Sequence, residues 1–180
     1  MMKKLIVLLA AFISGTCSIS AQSFTLKSTD IGGQASQKQF YNGMGCTGQN
    51  ISPQLSWENA PEGTQYFGVT MYDKDAPTGS GFWHWVIFNI PATVTELKSG
   101  AGEVAKKLAP KEAIQSVTDF GKPGYGGPCP PTGAPHQYLI TVYALKSKID
   151  LDKNAPAAMV GFYLNNNMLA KASLVMYGKQ

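Results

Sequence analysis

Arginine is absent. All 15 basic residues are lysine, so the chain has no guanidinium fork with which to clamp a phosphate or read a base edge. Charge of either sign is sparse, at 14% of residues, and a net charge of +4 leaves no field strong enough to steer polyanions. Nucleic acid is therefore not an expected partner. Histidine occurs only at His84 and His136. No Gly-x-Ser-x-Gly elbow, His-Glu-x-x-His pair or Cys-x-x-Cys motif is present, so the common hydrolase, zinc-protease and dithiol signatures are missing. Any anion site must be built from histidine, hydroxyl and backbone N–H groups.

Residues Met1 to Ser20 read as a secretory signal: Lys3 and Lys4 precede an apolar run from Leu5 to Ile13, and small Ser18 and Ser20 follow. A spanning helix needs about 20 apolar residues. Ser14, Gly15, Thr16 and Ser18 interrupt the run too early for that, so stable membrane insertion is not expected. Cys17 is a poor lipidation site, with Thr16 where a smaller residue is expected. The expected product is periplasmic or secreted, begins near Ala21, and forms one domain over residues 21–180. Its two cysteines, Cys46 and Cys129, are read most simply as a disulfide in an oxidising compartment, with two unpaired buried thiols as the alternative.

Short apolar stretches separated by Gly, Pro and Asn predict an all-β chain, an antiparallel β-sandwich with a C-terminal helix. The strongest strand is Tyr66 to Tyr72, with Phe67, Val69 and Met71 on one face. Further strands are expected at Trp83 to Ile90 and His136 to Leu145, and weaker ones at Phe24 to Lys27, Gln54 to Trp57, Ile114 to Thr118 and Ser173 to Tyr177. Asn154 or Asp152 is expected to cap a helix running through Ala157 and Met168 toward Lys171. Glu103 to Lys107 reads as a helical turn or a solvated lysine face.

Three segments can carry chemistry. Asp73 and Asp75 continue the parity of Phe67, Val69 and Met71, which brings acids to the end of a core-facing row; a polar turn stopped by Pro77 is the plainer reading. His84 shares strand parity with Val86, Phe88 and Ile90, while Trp83 and Trp85 point the other way, and a buried, hydrogen-bonded histidine is the default for such a position. Gly121 to Pro131 is rich enough in Gly and Pro to turn successive N–H groups toward one point as an anion nest, or to be an irregular surface loop entering the strand of His136 and Tyr138. Both histidines of the chain thus stand at strand starts beside loops rich in Asp, Gly and Pro.

These motifs resemble the phosphatidylethanolamine-binding protein family, specifically its bacterial Raf-kinase-inhibitor-like branch. The resemblance is carried by Asp73-Lys74-Asp75-Ala76-Pro77, Gly81-Phe82-Trp83-His84-Trp85, Gly124 to Gly133 with His136-Gln137-Tyr138, and Asn50 to Trp57. It implies a large antiparallel sandwich with a small cavity for phosphate, acetate or a phosphorylated head group. The implied ligand set is Asp73, Asp75, His84, His136 and Tyr138, with backbone from Gly127 through Cys129 and Pro130 supplying donors. Lys74 departs from the proline often found between the two acids, and Gln137 from a common basic residue. Lys74 is expected to add a cation near the pocket mouth.

The leading expectation is an exported binding protein for a small anionic ligand or phospholipid head group, without cofactor or metal and not an enzyme. The alternative is a metal-dependent or acid–base hydrolytic enzyme using the same Asp/His cluster. A third reading is an inhibitor or modulator of another protein. The sequence leaves a homodimer open.

Overall fold

The computed structural model describes residues 22–180; the expected signal lies outside them. In chain order the strands are β1 (Thr25–Lys27), β2 (Asn42–Gly43), β3 (Cys46–Thr47), β4 (Leu55–Glu58), β5 (Tyr66–Asp73), β6 (Phe82–Pro91), β7 (Glu96–Leu97), β8 (Ile114–Gln115), β9 (His136–Leu145) and β10 (Met168–Gly178). Among the described residues one α-helix, α1 (Ala157–Asn167), lies between β9 and β10. Five strands form the main sheet in the order β10-β9-β5-β6-β8, three form a second in the order β1-β4-β7, and β2 and β3 make a small hairpin. Pairing within these sheets is antiparallel throughout.

The core forms where one face of the main sheet meets the smaller sheet. Val69, Met71, Trp85, Ile140 and Val142 pack there against Leu55, Trp57 and Leu97. Each such side chain contributes about 1.5–3 kcal/mol on burial. The opposite face buries Val86, Phe88, Tyr143 and Leu145 beneath Val160 and Leu164 of α1. Gly68 permits that approach, since a Cβ there would collide with the Leu164 side chain. The expected antiparallel, mostly-β architecture with a C-terminal helix is present.

Element boundaries differ from expectation in three places. Neither Asn154 nor Asp152 caps the helix: Pro156 occupies the cap position, and Asp152 Oδ1 instead accepts the Asn154 N–H in a tight turn. The residue before a proline is driven out of helical geometry, so the helix cannot start earlier. At the other end α1 stops at Asn167 rather than near Lys171. Asn167 is tied to Ser147 through Nδ2 and Oδ1, and Met168 adopts extended backbone to open β10, five residues before the expected strand. Only Ile114 and Gln115 of the stretch to Thr118 pair as strand β8. Glu103 caps a short 3₁₀ turn at Val104–Lys106.

The strict alternation expected of β6 also fails, and here the site depends on it. Tyr72 pairs with Trp83 and Met71 with Trp85, so His84 is the extra residue of a β-bulge. A second irregularity between Phe67 and Val69 includes Asn89, whose φ is +57°. His84 therefore does not share a face with Val86 and Phe88, and Trp83 and Trp85 do not point the same way. Trp83 packs on the α1 side, against Tyr72, while Trp85 enters the inter-sheet core and His84 turns toward Tyr138.

A candidate binding cavity at the end of the central strands

Asp73, Phe82 and Tyr138 are direct cross-strand partners at the ends of β5, β6 and β9. With the bulged His84, and His136 two residues before Tyr138, they line one end of a cavity of about 210 Å³. Pro77, Phe120, Met44 and Pro131 supply apolar wall. Asp73 is 3% exposed yet well satisfied: Oδ1 accepts the Asp75 N–H at 2.9 Å and Oδ2 accepts His136 Nδ1–H at 2.8 Å. That second bond fixes the tautomer and orientation of His136 and leaves its Nε2 for the cavity.

His84 is held differently. Its Nδ1–H donates to Gly126 O at 2.8 Å, and the Gly126 N–H donates to His84 O at 2.8 Å. A carbonyl can only accept, so Nδ1 carries the ring proton. Phe82, Phe120 and Tyr138 surround the ring, with centroids 5.2, 5.3 and 5.0 Å away. Burial among them pushes the imidazole below its ordinary value, against the opposing pull of the Gly126 carbonyl and of Asp73. Neutral His84 thus presents Nε2 as a lone pair.

Tyr138 is fully buried, and its hydroxyl makes no hydrogen bond of ordinary geometry among the described residues, although the Asp73 carboxylate and the Cys129 N–H lie beside it. Burial first, then the charge of Asp73, pushes its ionisation up, so it remains a phenol with a proton to donate. An unpaired buried hydroxyl costs about 1–3 kcal/mol. A ligand oxygen would offset that cost.

The residues singled out from sequence separate into two groups. Asp73, His84, Cys129, Pro130, His136 and Tyr138 line the cavity; Asp75 and Gly127 do not. Asp75 lies one step outside, where Oδ2 accepts the Gln137 N–H at 2.8 Å and Oδ1 pairs with Lys74 at 2.7 Å. The Lys74 pair, then the Gln137 N–H, hold the Asp75 carboxyl below its usual value. Lys74 is thus engaged with Asp75 and is not among the residues that line the cavity.

The glycine-rich loop is not an open nest. The Gly126 N–H is spent on His84, the Gly127 N–H goes to Asn50 Oδ1 at 2.8 Å, and prolines 128, 130 and 131 have no N–H. Cys129 alone retains a backbone donor on the stretch from Gly127 to Pro130, and it lies beside the Tyr138 oxygen. Gly127 serves close approach instead: a Cβ there would strike the backbone of Gln39 and Tyr41. Cys46 and Cys129 form a disulfide with Cα atoms 5.9 Å apart, joining β3 to this loop.

Sequence reasoning missed Asn50, which clamps the loop from both sides through Gly127 N–H and Tyr125 O, and the walls Phe82, Phe120 and Met44. Asn50 at φ +55° carried a detectable signal, an asparagine in left-handed backbone before Ile51-Ser52-Pro53. Phe82 lies within the Gly81 to Trp85 motif but was given no role there, and Phe120 carried no signal because it comes from a separate segment. Among the described residues no three His, Cys, Asp or Glu side chains are grouped so as to hold a metal ion.

A two-sheet antiparallel frame whose central strands end in an Asp/His/Tyr cavity defines a class of β-sandwich with a small, mostly apolar end-pocket carrying a few polar groups. Residues 27–178 match the family model of the phosphatidylethanolamine-binding proteins, and the chain belongs to that family. It is 48% identical over 178 residues to the UPF0098 protein YbcL of Escherichia coli (strain K12), covering 96% of each chain. It is also 48% identical over 144 residues to YbhB of the same organism, covering 79% of this chain and 90% of that one. The crystal structure of E. coli YbcL, described as a new member of the mammalian PEBP family, superposes with a TM-score of 0.85 at 46% identity, over 87% of this chain and 98% of that one. A PEBP homologue from Chlamydia trachomatis, CT736, shares the fold with a TM-score of 0.73 at 24% identity, over 88% of this chain and 98% of that one.

Proposed function

We propose that this protein is an exported binding protein whose Asp73/His84/His136/Tyr138 cavity takes a small anion or phosphorylated head group, and that it presents or withholds that ligand rather than transforming it. The observation that carries this reading is the fully buried Tyr138 hydroxyl without a hydrogen bond of ordinary geometry, on a ring that packs edge-on against His84 and stacks 6.5 Å from His136. Buried polar groups are normally satisfied. The cavity volume suits a head group rather than a whole lipid. Against covalent catalysis by a thiol or aliphatic hydroxyl, Cys129 is in the disulfide and the Thr78 hydroxyl donates to Gly81 O. The disulfide supports an oxidising location and therefore export.

Calorimetric titration with inorganic phosphate and O-phosphorylethanolamine tests the reading. Saturable 1:1 binding that disappears in a folded His84→Ala/His136→Ala double variant is the expected result. No heat of binding with the wild-type protein would overturn it.

A further inference from the structure

The donors and acceptors of this cavity are unequal in a way that narrows the ligand. The Tyr138 hydroxyl and the Cys129 N–H can face oxygens that carry only lone pairs, as can His136 Nε2 when the ring carries a second proton beside the Asp73 carboxylate. His84 Nε2 cannot. Its ring proton is committed to the Gly126 carbonyl, so the atom left to meet a ligand is an acceptor. The reciprocal Gly126 N–H to His84 O bond, and Asn50 holding Tyr125 O and Gly127 N–H, keep that loop from turning away and releasing the ring. Asp73 adds a second acceptor a strand away. A fully deprotonated oxyanion would set its lone pairs against that of His84 and its charge against Asp73.

We propose that the cavity selects phosphate monoesters in their singly protonated form, whose P–O–H group donates to His84 Nε2, and discriminates against oxyanions without a proton, namely phosphodiesters and sulfate. This rests on the anion-binding reading above. The alternative way to satisfy the contact is for His84 itself to take up a proton. Burial within the Phe82, Phe120 and Tyr138 rings opposes that, and the other titratable groups near the ring are Asp73 on β5, His136 and Tyr138 on β9, and Asp119 in the loop after β8. The Asp119 carboxylate is occupied by the Trp83 N–H at 2.7 Å. A lipid phosphodiester such as intact phosphatidylethanolamine has no P–O–H above its single, strongly acidic ionisation; its monoester head group keeps one until its second ionisation, near 6.

The test is a ligand series on the wild-type protein: methyl phosphate, O-phosphorylethanolamine, inorganic phosphate, dimethyl phosphate and sulfate, each titrated at pH 6 and pH 8. Methyl phosphate is expected to bind at least about tenfold more tightly than dimethyl phosphate or sulfate at pH 6, because a buried acceptor left without its donor is heavily penalised. Its apparent affinity should fall as pH rises past its second ionisation, near 6 for such esters. The O-phosphorylethanolamine and inorganic phosphate arms separate an esterified source from a free one. His84→Ala should bring the monoester-to-sulfate ratio toward one, whereas Tyr138→Phe should weaken both and leave the ratio standing. Sulfate or dimethyl phosphate binding within about threefold of methyl phosphate would overturn the selectivity and leave the anion pocket intact. Absence of binding by every ligand would overturn both.

Discussion

The two faces of the main sheet are built from the same strands and do different work. The face under α1 is closed by aliphatic and aromatic side chains, with Leu164 seated over Gly68 and Val160 beside it. The face toward the smaller sheet is equally apolar along most of its length, from Val69 and Val142 to Met71 and Ile140, and then turns polar at the last residue pair, Asp73 with Tyr138. One inserted residue adds His84 to that polar end. The bulge at His84 reverses the side-chain parity of β6, so an imidazole that simple alternation would send toward the helix enters the cavity instead. A binding site can thus be grafted onto the end of a core without interrupting it.

That contrast predicts a separation between stability and binding. Trp57→Ala, in the inter-sheet core and 1% exposed, should give the largest loss of stability, about 4 kcal/mol by chemical denaturation. Leu164→Ala on the helix face should cost about 3 kcal/mol while leaving affinity for O-phosphorylethanolamine within about twofold of wild type. His136→Ala should reverse the pattern, with about 1 kcal/mol lost from stability and at least tenfold from binding. Equal damage to folding from His136→Ala and Trp57→Ala would assign His136 a structural role. Phe162→Ser, on the exposed side of α1, should change stability by less than about 0.5 kcal/mol and binding not at all.

The histidines sharpen the comparison through pH. Burial holds His84 below its unfolded value of 6.5, so the unfolded chain binds the extra proton first. The stability this group contributes is fully present above about pH 6.5 and declines as pH falls below it. Denaturation midpoints measured from pH 8 to pH 5 should fall accordingly, and a folded His84→Gln variant should lose that slope. Asp75, held low, contributes in the opposite range: its share persists down to its unfolded value near 3.8 and disappears below it.

Much of the frame was legible because β-strand alternation and turn chemistry are local. β5 and β9 match their expected ranges to within a residue, and the Asp73, His136 and Tyr138 positions follow from simple parity along them. Failures occurred where one residue changes a long-range relation. Nothing near Trp83-His84-Trp85 marks a bulge, since its cause is the pairing with Tyr72 and Met71 from another strand. The loop after Gly121 advertised freedom through its composition, but Asn50 and Gln39, more than 70 residues away in sequence, take up its polar groups. The helix start was misplaced because an Asp-x-Asn pattern resembles a cap, and only the proline at 156 forbids the turn from being helical.

The most direct test of the central claim is a nitrogen-15 spectrum of the two histidine rings, recorded with and without saturating O-phosphorylethanolamine. The account predicts that His84 Nε2 begins as an unprotonated acceptor and shifts on ligand addition together with His136 Nε2, while His84 Nδ1 keeps its proton. Binding that leaves both Nε2 signals unmoved would place the ligand elsewhere and contradict the cavity as the site.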